Sequence, residues 1–246
     1  MTTGVSGNER RQTIAANLAA LRERVGAAAS AAGRSLEEIT LVAVTKGFPA
    51  VDVEHLMALG ITDIGENKDQ EARDKLSALL PELHKKGVRT HFIGQLQTNK
   101  CRSVVGYSDV VQAVDRLGLV AALSKACATA QRRIAVLLQV NLDEALLGLR
   151  AETSGGRGGV DPAGVAELAE AVASSDFLTL GGVMAVAPLG GDATKAFEQL
   201  RGISARLREN YPAAKMISAG MSGDFELAIA HGATHIRLGS ALLGHR

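Results

Sequence analysis

The stretch ITLVAVTKGFP, residues 39–49, decides between two parallel folds. Its segment Thr40–Thr45 is a mostly apolar run typical of a buried strand, and Lys46 follows at its end. The segment after it, KGFPAVD, contains neither GxGxxG nor GxxxxGK(S/T), the phosphate-binding patterns expected after the first strand of an open doubly wound sheet. The stretch therefore favours a barrel over an open sheet, provided that strands and helices alternate in the rest of the chain.

Such an alternation runs along the whole chain. Candidate strands are predicted at Thr40–Lys46, Asp63–Asn67, Thr90–Gly94, Val110–Val114, Ile134–Leu142, Leu178–Ala187, Met216–Gly220 and His235–Gly239. Helical stretches between them are predicted at Val51–Leu59, Glu71–Leu80, Arg116–Arg132, Pro162–Ser174, Ala193–Asn210 and Phe225–Ala230, with a shorter connection around Gln97–Val105. Because eight parallel strands can close on themselves, the sequence predicts an α/β fold, a single-domain (β/α)8 TIM-type barrel. Residues 9–32 predict one extra helix before it, so we expect residues 1–8 to be a flexible tail and residues 9–246 to form the barrel domain.

Composition narrows the class of protein. With 27 basic and 26 acidic residues, 3% aromatic residues and no Trp, the chain has no nucleic-acid footprint. No apolar run is long enough to span a membrane, and the start MTTGVSGNERR shows no secretory signal. Cys101 and Cys127 lack metal-type spacing and suit a reducing compartment as small apolar residues. We expect a cytoplasmic protein, and a monomer because no exposed apolar stripe is legible.

Several polar residues lie where barrel strands are predicted to end, which is where barrels carry their functional groups. Lys46 and Asn67 close the first two strands, and Arg237 lies in the eighth. Alternation along HIRLG predicts that Arg237 points into the barrel, and alternation along the first strand places Lys46 on the face of Val42 and Val44, among apolar neighbours. A lysine amine in such surroundings loses its proton readily and becomes reactive.

Two glycine-bearing corners follow the seventh and eighth strands. SAGMSGD passes into a helix with Ser222 as the expected N-cap, and RLGSALLG makes a similar passage at Gly239 and Ser240. Small residues at a helix start let backbone N–H groups approach an anion, and barrels frequently bind phosphate at these two loops. A lysine, a phosphate grip and an arginine between them are the parts of a pyridoxal 5'-phosphate (PLP) site.

Six motifs together resemble the pyridoxal phosphate homeostasis protein family, whose members are single-domain relatives of the N-terminal barrel of alanine racemase. The motifs are AVTKGFP, IGENKDQEA, HFIGQLQTNK, LQVN, GGVMAVAP and SAGMSGDFELAIAHGATHIRLGSALLG, spread from about residue 10 to 246. The resemblance implies that Lys46 forms a Schiff base with PLP, that Arg237 faces the pyridine nitrogen and that Asn67 lines the pocket. It also implies that the phosphate is held by Ser222, Gly239 and Ser240.

The chain departs from the family pattern at two places. The family often carries a second lysine in a short loop after QVN, whereas this chain has a long glycine-rich segment, residues 142–162, with Arg157 before the glycines. No lysine-bearing strand-to-helix passage follows those glycines, so we expect a flexible surface loop rather than a phosphate cradle. Ala219 replaces the usual Met, a change expected to be harmless.

Each candidate residue also has a purely structural interpretation. Lys46 can be a strand-end lysine that reaches into water, Ser222 a helix cap and Asn67 a turn residue. Arg237 can be half of an ion pair with Asp224 or another acid. Three histidines are interpreted as structural. His231 and His235 have a metal-like spacing, but a helix-to-strand change at Gly232 separates them, so no metal site is expected, and His91 belongs to the third strand.

The function expected from the resemblance is that of a PLP carrier without substantial catalysis, with apo PLP-dependent enzymes as recipients. The alternative is a racemase- or aldolase-like enzyme on amino acids. In alanine racemases a tyrosine from an additional C-terminal domain of the partner subunit supplies a second base. This chain ends at Arg246, and neither Tyr107 nor Tyr211 lies at a predicted strand end. A barrel without any cofactor would require the motif match to be coincidental.

Overall fold

The computed structural model of the protein describes residues 7–142, 158–188 and 190–244. Its strands are β1 Thr40–Val44, β2 Asp63–Glu66, β3 Arg89–Phe92, β4 Val110–Val114, β5 Ile134–Gln139, β6 Leu178–Met184, β7 Met216–Ser218 and β8 His235–Leu238. Its helices are α1 Gly7–Ala31, α2 Ala50–Ala58, α3 Asp69–Leu76, α4 Leu80–Lys85, α5 Cys101–Val105, α6 Leu117–Ala130, α7 Val165–Ala173, α8 Ala193–Asn210, α9 Phe225–Ala230 and α10 Ser240–Leu243. Short 3-10 turns lie at Leu36–Glu38, Thr98–Lys100 and Pro162–Gly164.

The strands form a closed parallel barrel in chain order, which confirms the predicted fold. β8 closes the barrel against β1, with His235 opposite Thr40 and Leu238 opposite Ala43. All strands therefore end on the same side. We call this side the barrel mouth; it is formed by the residues that directly follow the strands, which are Thr45, Asn67, Ile93, Asp115, Val140, Ala185, Ala219 and Gly239.

The extra N-terminal helix packs against the last two helices of the barrel and against α2. Its buried residues Ile14, Leu18, Leu21 and Val25 recur every three or four positions, as an amphipathic helix requires. The Arg10 guanidinium donates two hydrogen bonds to the Asp52 carboxylate at 3.0 and 2.6 Å, and Asn17 Nδ2 donates to the Leu242 carbonyl at 3.0 Å. The helix thus ties the beginning of the chain to its end.

The inside of the barrel is partly apolar and partly polar. A small apolar cluster consists of Val110, Ala113, Leu137 and Met184. Beside it lie buried polar side chains from five strands: Asp63, His91, Gln112, Ser218, His235 and Arg237. Arg237 is buried and donates a hydrogen bond to the buried Ser218 hydroxyl, so it points inward as the alternation of HIRLG predicts.

Most strands end earlier than the sequence predicts, whereas β4, α8 and α9 have the predicted bounds. β1 ends at Val44 rather than Lys46, β2 at Glu66 rather than Asn67, and β8 at Leu238 rather than Gly239. At the end of β1 the chain turns after Val44, with Phe48 N–H donating to the Thr45 carbonyl at 3.0 Å. The helix predicted at Glu71–Leu80 is two helices, α3 and α4.

Two predictions on loops and tails fall largely outside the described residues. α1 begins at Gly7, two residues before the predicted start, and residues 1–6 are not described. Residues 143–157, including Arg157, are likewise outside the described ranges. In the part of the chain that is described, no helix combines the length and the apolar character needed to cross a membrane.

The buried histidine of β8 predicts a pH dependence of stability. Burial, together with the Arg89 charge, lowers the pKa of His235 from 6.5 to about 4, although the Asp63 carboxylate opposes this. Below pH 6.5 the unfolded chain therefore takes up a proton that the folded protein refuses until about pH 4. We expect this residue to cost about 3 kcal/mol of unfolding free energy as the pH falls through that window. Urea unfolding of the wild type and of His235→Gln at several pH values measures this cost. The difference between their free energies of unfolding should shrink as the pH falls, and a constant difference contradicts the prediction.

Candidate functional site

Lys46 lies in the turn that leads from β1 to α2, at the barrel mouth. Its neighbours on the predicted inner face, Val42 and Val44, are buried, but Lys46 itself is exposed. The prediction that the amine lies among apolar neighbours is therefore wrong, because the chain leaves the strand two residues before it. The amine is accessible to a ligand that enters from solvent.

The turn that carries Lys46 is clamped on both sides by β2 and α3. Thr45 Oγ1 donates to Glu66 Oε1 at 2.6 Å, and Lys75 Nζ donates to the Thr45 carbonyl at 2.6 Å. On the other side of Lys46, the Gly47 N–H donates to the Glu71 carboxylate. The backbone on either side of Lys46 is therefore held by side chains of the IGENKDQEA motif and of Lys75.

A buried ion pair lies at the centre of this clamp. Lys75 Nζ is 2.9 Å from Glu66 Oε1 and 3.1 Å from Glu71 Oε1; the Lys75 and Glu66 side chains are 6% and 0% exposed. Burial raises the pKa of the Glu66 carboxyl, while the Thr45 hydroxyl and the Lys75 ammonium work in the opposite direction. Sequence reasoning missed Thr45, Glu66 and Lys75. The available signal was an acid at the end of the second strand, Glu66, followed by Glu71 and Lys75 on the next helix.

Asn67 follows β2 directly and lies half-buried at the mouth, in close contact with the end of β3. A Cβ atom at Gly94 would lie 2.1 Å from the Asn67 carbonyl oxygen and 2.9 Å from its Oδ1. Gly94 of HFIGQLQTNK is thus required for the close approach of the two strand ends. The position of Asn67 depends on it.

We expect Gly94→Ala to displace Asn67 and to lower the free energy of unfolding by about 1–3 kcal/mol, the usual cost of overpacking. Gly118→Ala in α6 is the matched control, because nothing lies within 4 Å of a Cβ there and alanine favours a helix. Chemical denaturation of both variants provides the measurement. Equal stability of the two would show that the strand ends can separate without cost.

The two corners after β7 and β8 meet at the mouth. Ser240 Oγ lies 3.3 Å from Ser222 Oγ, so the two hydroxyls face the same space. A Cβ at Gly239 would lie 3.4 Å from the Val44 carbonyl oxygen, which places this corner against the end of β1. The prediction that Ser222 caps the following helix is wrong: Asp224 is the N-cap residue, and its carboxylate accepts from Met221 N–H at 2.6 Å. The Ser222 hydroxyl is thus not used as a cap.

Arg237 is buried inside the barrel below this corner. Nη1 donates to Ser218 Oγ at 2.8 Å and Nη2 to the Ala185 carbonyl at 2.9 Å. Its hydrogen bonds therefore go to β7 and to the residue after β6, and Asp224 acts on it through charge. Burial lowers the pKa of Arg237 to about 10, and the Asp224 charge opposes this. The guanidinium still carries its proton at neutral pH.

The glycine-rich segment returns to the mouth at its described end. Gln139 Nε2 donates to the Gly158 carbonyl at 2.6 Å, and Val160 pairs with Val140 in a parallel bridge. A Cβ at Gly158 would lie 3.2 Å from Asp115 Oδ2. The expectation of a surface loop thus does not hold for Gly158–Val160, since these residues pack against the ends of β4 and β5.

The remaining predicted residues lie away from the mouth or form no site. Cys101 and Cys127 are both free and buried, as expected of small apolar residues, and burial raises the pKa of each thiol to about 11. His235 faces the barrel interior, while His231 lies 4.0 Å from Glu198. Within the described ranges, no three metal-ligating side chains come together. Tyr107 is buried with its hydroxyl 3.4 Å from Asp69 Oδ1.

Known proteins resemble the chain over nearly its full length. It matches the family described as alanine racemase, N-terminal domain, over residues 13–246. The pyridoxal phosphate homeostasis protein of Mycobacterium tuberculosis is 40% identical over 253 residues, which cover 97% of this chain and 95% of that protein. PipY of Synechococcus elongatus, solved with PLP bound, is 32% identical with a TM-score of 0.75 and covers 94% of this chain and 100% of its own.

A more distant likeness concerns the fold alone. Alanine racemase from Streptomyces coelicolor is 21% identical with a TM-score of 0.72. The match covers 96% of this chain but 59% of the racemase, so the racemase is the longer protein. The homeostasis protein of Mycobacterium tuberculosis and PipY, by contrast, are more than 30% identical to this chain and are matched over nearly their whole length. The chain belongs to the pyridoxal phosphate homeostasis protein family, within the wider family of the alanine racemase N-terminal domain.

Proposed function

We propose that the protein binds PLP at the barrel mouth and acts in intracellular PLP homeostasis as a carrier that holds PLP covalently on Lys46. One observation carries the proposal: the corner formed by Ser222, Gly239 and Ser240 abuts the end of the strand that leads to Lys46. Two relatives support the proposal: PipY, which was solved with PLP bound, and the pyridoxal phosphate homeostasis protein of Mycobacterium tuberculosis.

The residues at the mouth fit the chemical groups of PLP. Lys46 offers an accessible primary amine to the aldehyde, on a turn whose backbone is held on both sides. The Ser222 and Ser240 hydroxyls face each other without an acid between them, which suits a phosphate, and Gly239 leaves room for its oxygens. Asn67 would line the wall near the ring, and Arg237 would face the pyridine nitrogen.

Arg237 argues for holding PLP rather than for catalysis. When bound, PLP supplies an aldehyde for imine formation and a ring that withdraws electrons when its nitrogen is protonated. A guanidinium is protonated and can only donate hydrogen bonds, so it leaves that nitrogen unprotonated and makes the ring a weaker electron sink. A carboxylate at the same place would favour protonation.

The alternative function is that of a racemase- or aldolase-like enzyme on amino acids. It is considered because the chain shares its barrel fold with an alanine racemase. The two functions differ in the fate of the α-proton. We expect the PLP-loaded protein to exchange the α-proton of alanine or threonine enantiomers with deuterated water no faster than free PLP does. Sustained exchange that disappears in Lys46→Ala would overturn the carrier function in favour of the enzyme.

A carrier also needs recipients, for which we propose apo PLP-dependent enzymes. Two buried, unpaired cysteines are consistent with the reducing cytoplasm as its location, and we propose that it acts there as a monomer. The test is activation of an apo-aminotransferase by PLP-loaded protein in the presence of an excess of a phosphatase that destroys free PLP. Activation as fast as without the phosphatase supports direct transfer, whereas loss of activation in step with the loss of free PLP contradicts it.

A further inference from the structure

A chain of buried polar side chains crosses the inside of the barrel from β8 to β2. Its four contacts are Arg237 Nη1 to Ser218 Oγ at 2.8 Å, Ser218 Oγ to Gln112 Oε1 at 2.7 Å, Gln112 Nε2 to His91 Nδ1 at 2.8 Å and His91 Nε2 to Asp63 Oδ1 at 2.7 Å. We call these residues the interior chain. All of them are at most 5% exposed.

The ends of the interior chain impose its direction. Arg237 can only donate, so Ser218 Oγ accepts from it and must send its own proton to Gln112 Oε1. The amide nitrogen of Gln112 then faces His91 Nδ1, which must be unprotonated to accept. His91 Nε2–H is left to donate to the Asp63 carboxylate, which can only accept. Every link therefore donates in the same sense, from the cation to the anion.

The far end of the interior chain is an anion in spite of its burial. Burial alone would raise the pKa of Asp63, but the hydrogen bond from His91, the Arg89 charge and the Thr62 hydroxyl lower it. Arg89 Nη2 lies 2.8 Å from Asp63 Oδ1. The interior chain thus connects the buried Arg237 cation to an ionised carboxylate through aligned dipoles, which offsets part of the cost of burying the guanidinium.

The neighbouring side chains show that the barrel can be filled without such a chain. Val110, Leu137 and Met184 pack beside it as an ordinary apolar cluster. A buried amide, hydroxyl or imidazole lowers the stability of the protein unless it has hydrogen-bond partners, whereas apolar side chains need none. Arg237 is the member of the interior chain that the proposed function places against the ligand, so the other members would act on the ligand through it.

We propose that Gln112 and His91 are positioning residues that orient Arg237 through Ser218, so that the guanidinium meets a ligand at the mouth in a single fixed orientation. Its two anchored nitrogens, one on Ser218 and one on the Ala185 carbonyl, leave the remaining N–H groups for the ligand. The identity of the ligand as PLP rests on the proposed function. The orientation of Arg237 by the interior chain in the ligand-free protein is independent of it.

The first experiment therefore uses the ligand-free protein and nitrogen NMR. In the wild type we expect His91 as the neutral tautomer protonated at Nε2, and side-chain N–H protons of Arg237 that exchange slowly with water. In Gln112→Leu and in Ser218→Ala, Arg237 proton exchange should accelerate at least about tenfold. Ser204→Ala is the matched control, because Ser204 is equally buried but lies on α8 outside the interior chain. A doubly protonated His91, or unchanged Arg237 exchange in both variants, overturns the proposal.

Gln112→Glu keeps the experiment decisive if the leucine variant fails to fold. A carboxylate there still accepts from Ser218 but cannot donate to His91, so His91 Nδ1 should become protonated. An unchanged His91 tautomer in this variant contradicts the stated direction.

The second experiment measures PLP affinity by fluorescence titration. We expect about a tenfold rise in the dissociation constant in Gln112→Leu and no change in Ser204→Ala. If the wild type binds no PLP, the proposed function fails while the NMR result still decides the role of the interior chain. If the wild type binds PLP and Gln112→Leu binds it equally well, the positioning role fails.

Discussion

Lys46→Ala is expected to abolish covalent capture of PLP while the protein stays folded. The residue is exposed, and hydrogen bonds of Thr45 and Gly47 hold the turn on either side of it. Substitutions of exposed residues usually change stability little, so we expect the free energy of unfolding to change by less than about 1 kcal/mol. The visible absorbance of the imine should be absent at every PLP concentration.

Lys68→Ala is the control for this variant. Lys68 is an exposed lysine beside Asn67 at the same mouth. Its substitution removes one positive charge near the site and leaves the Lys46 amine in place. We expect it to retain the visible band with at most a modest loss of affinity. An imine that persists in Lys46→Ala and disappears in Lys68→Ala would move the attachment to the β2 end.

Lys75→Met is expected to lower the free energy of unfolding by about 3–5 kcal/mol, the usual effect of removing one partner of a buried ion pair. The reason is that Glu66, whose side chain is fully buried, would keep its carboxylate without the ammonium 2.9 Å away. The Thr45 carbonyl would also lose its donor, so the turn that carries Lys46 should become mobile and capture PLP more slowly.

Two further variants separate these causes in urea unfolding. Lys86→Met breaks an exposed pair with Glu82, 3.6 Å apart with side chains 44% and 46% exposed, and should cost less than about 1 kcal/mol. Glu66→Gln combined with Lys75→Met removes the uncompensated charge and should recover part of the lost stability. A Lys75→Met variant as stable as Lys86→Met would show that the clamp does not hold the turn.

The barrel could be predicted from the chain because its signal is repeated. Each apolar run followed by a helical stretch indicates one βα unit, and eight such units leave a closed barrel as the simplest arrangement. The inward direction of Arg237 was also predictable, since alternation is a property of the strand alone.

The clamp and the interior chain could not be predicted, because they depend on contacts between distant segments. Thr45 and Lys75 are 30 positions apart and meet only because α3 packs beside the end of β1. Ser218 and Gln112 are 106 positions apart and meet across the barrel. Alternation says which side chains point inward, but strand stagger decides which of them touch.

The exposure of Lys46 was missed for a related reason. Hydrophobic periodicity predicts that β1 extends to Lys46, but the strand ends at Val44. There Thr45 donates to Glu66 at the end of β2 and accepts from Lys75 of α3. The N-cap at Asp224 instead of Ser222 is a similar case, since either residue type suits an N-cap and the sequence does not fix the residue at which the helix begins.

Borohydride reduction of the PLP-loaded protein, followed by tryptic mass mapping, shows whether PLP is attached to Lys46. Trypsin does not cleave after a modified lysine, so attachment at Lys46 should yield a reduced pyridoxyl adduct on one peptide, Ser35–Lys68. We expect this adduct to be the dominant product at stoichiometric PLP. An adduct spread over several lysines, or none on Ser35–Lys68 despite bound PLP, would contradict this expectation.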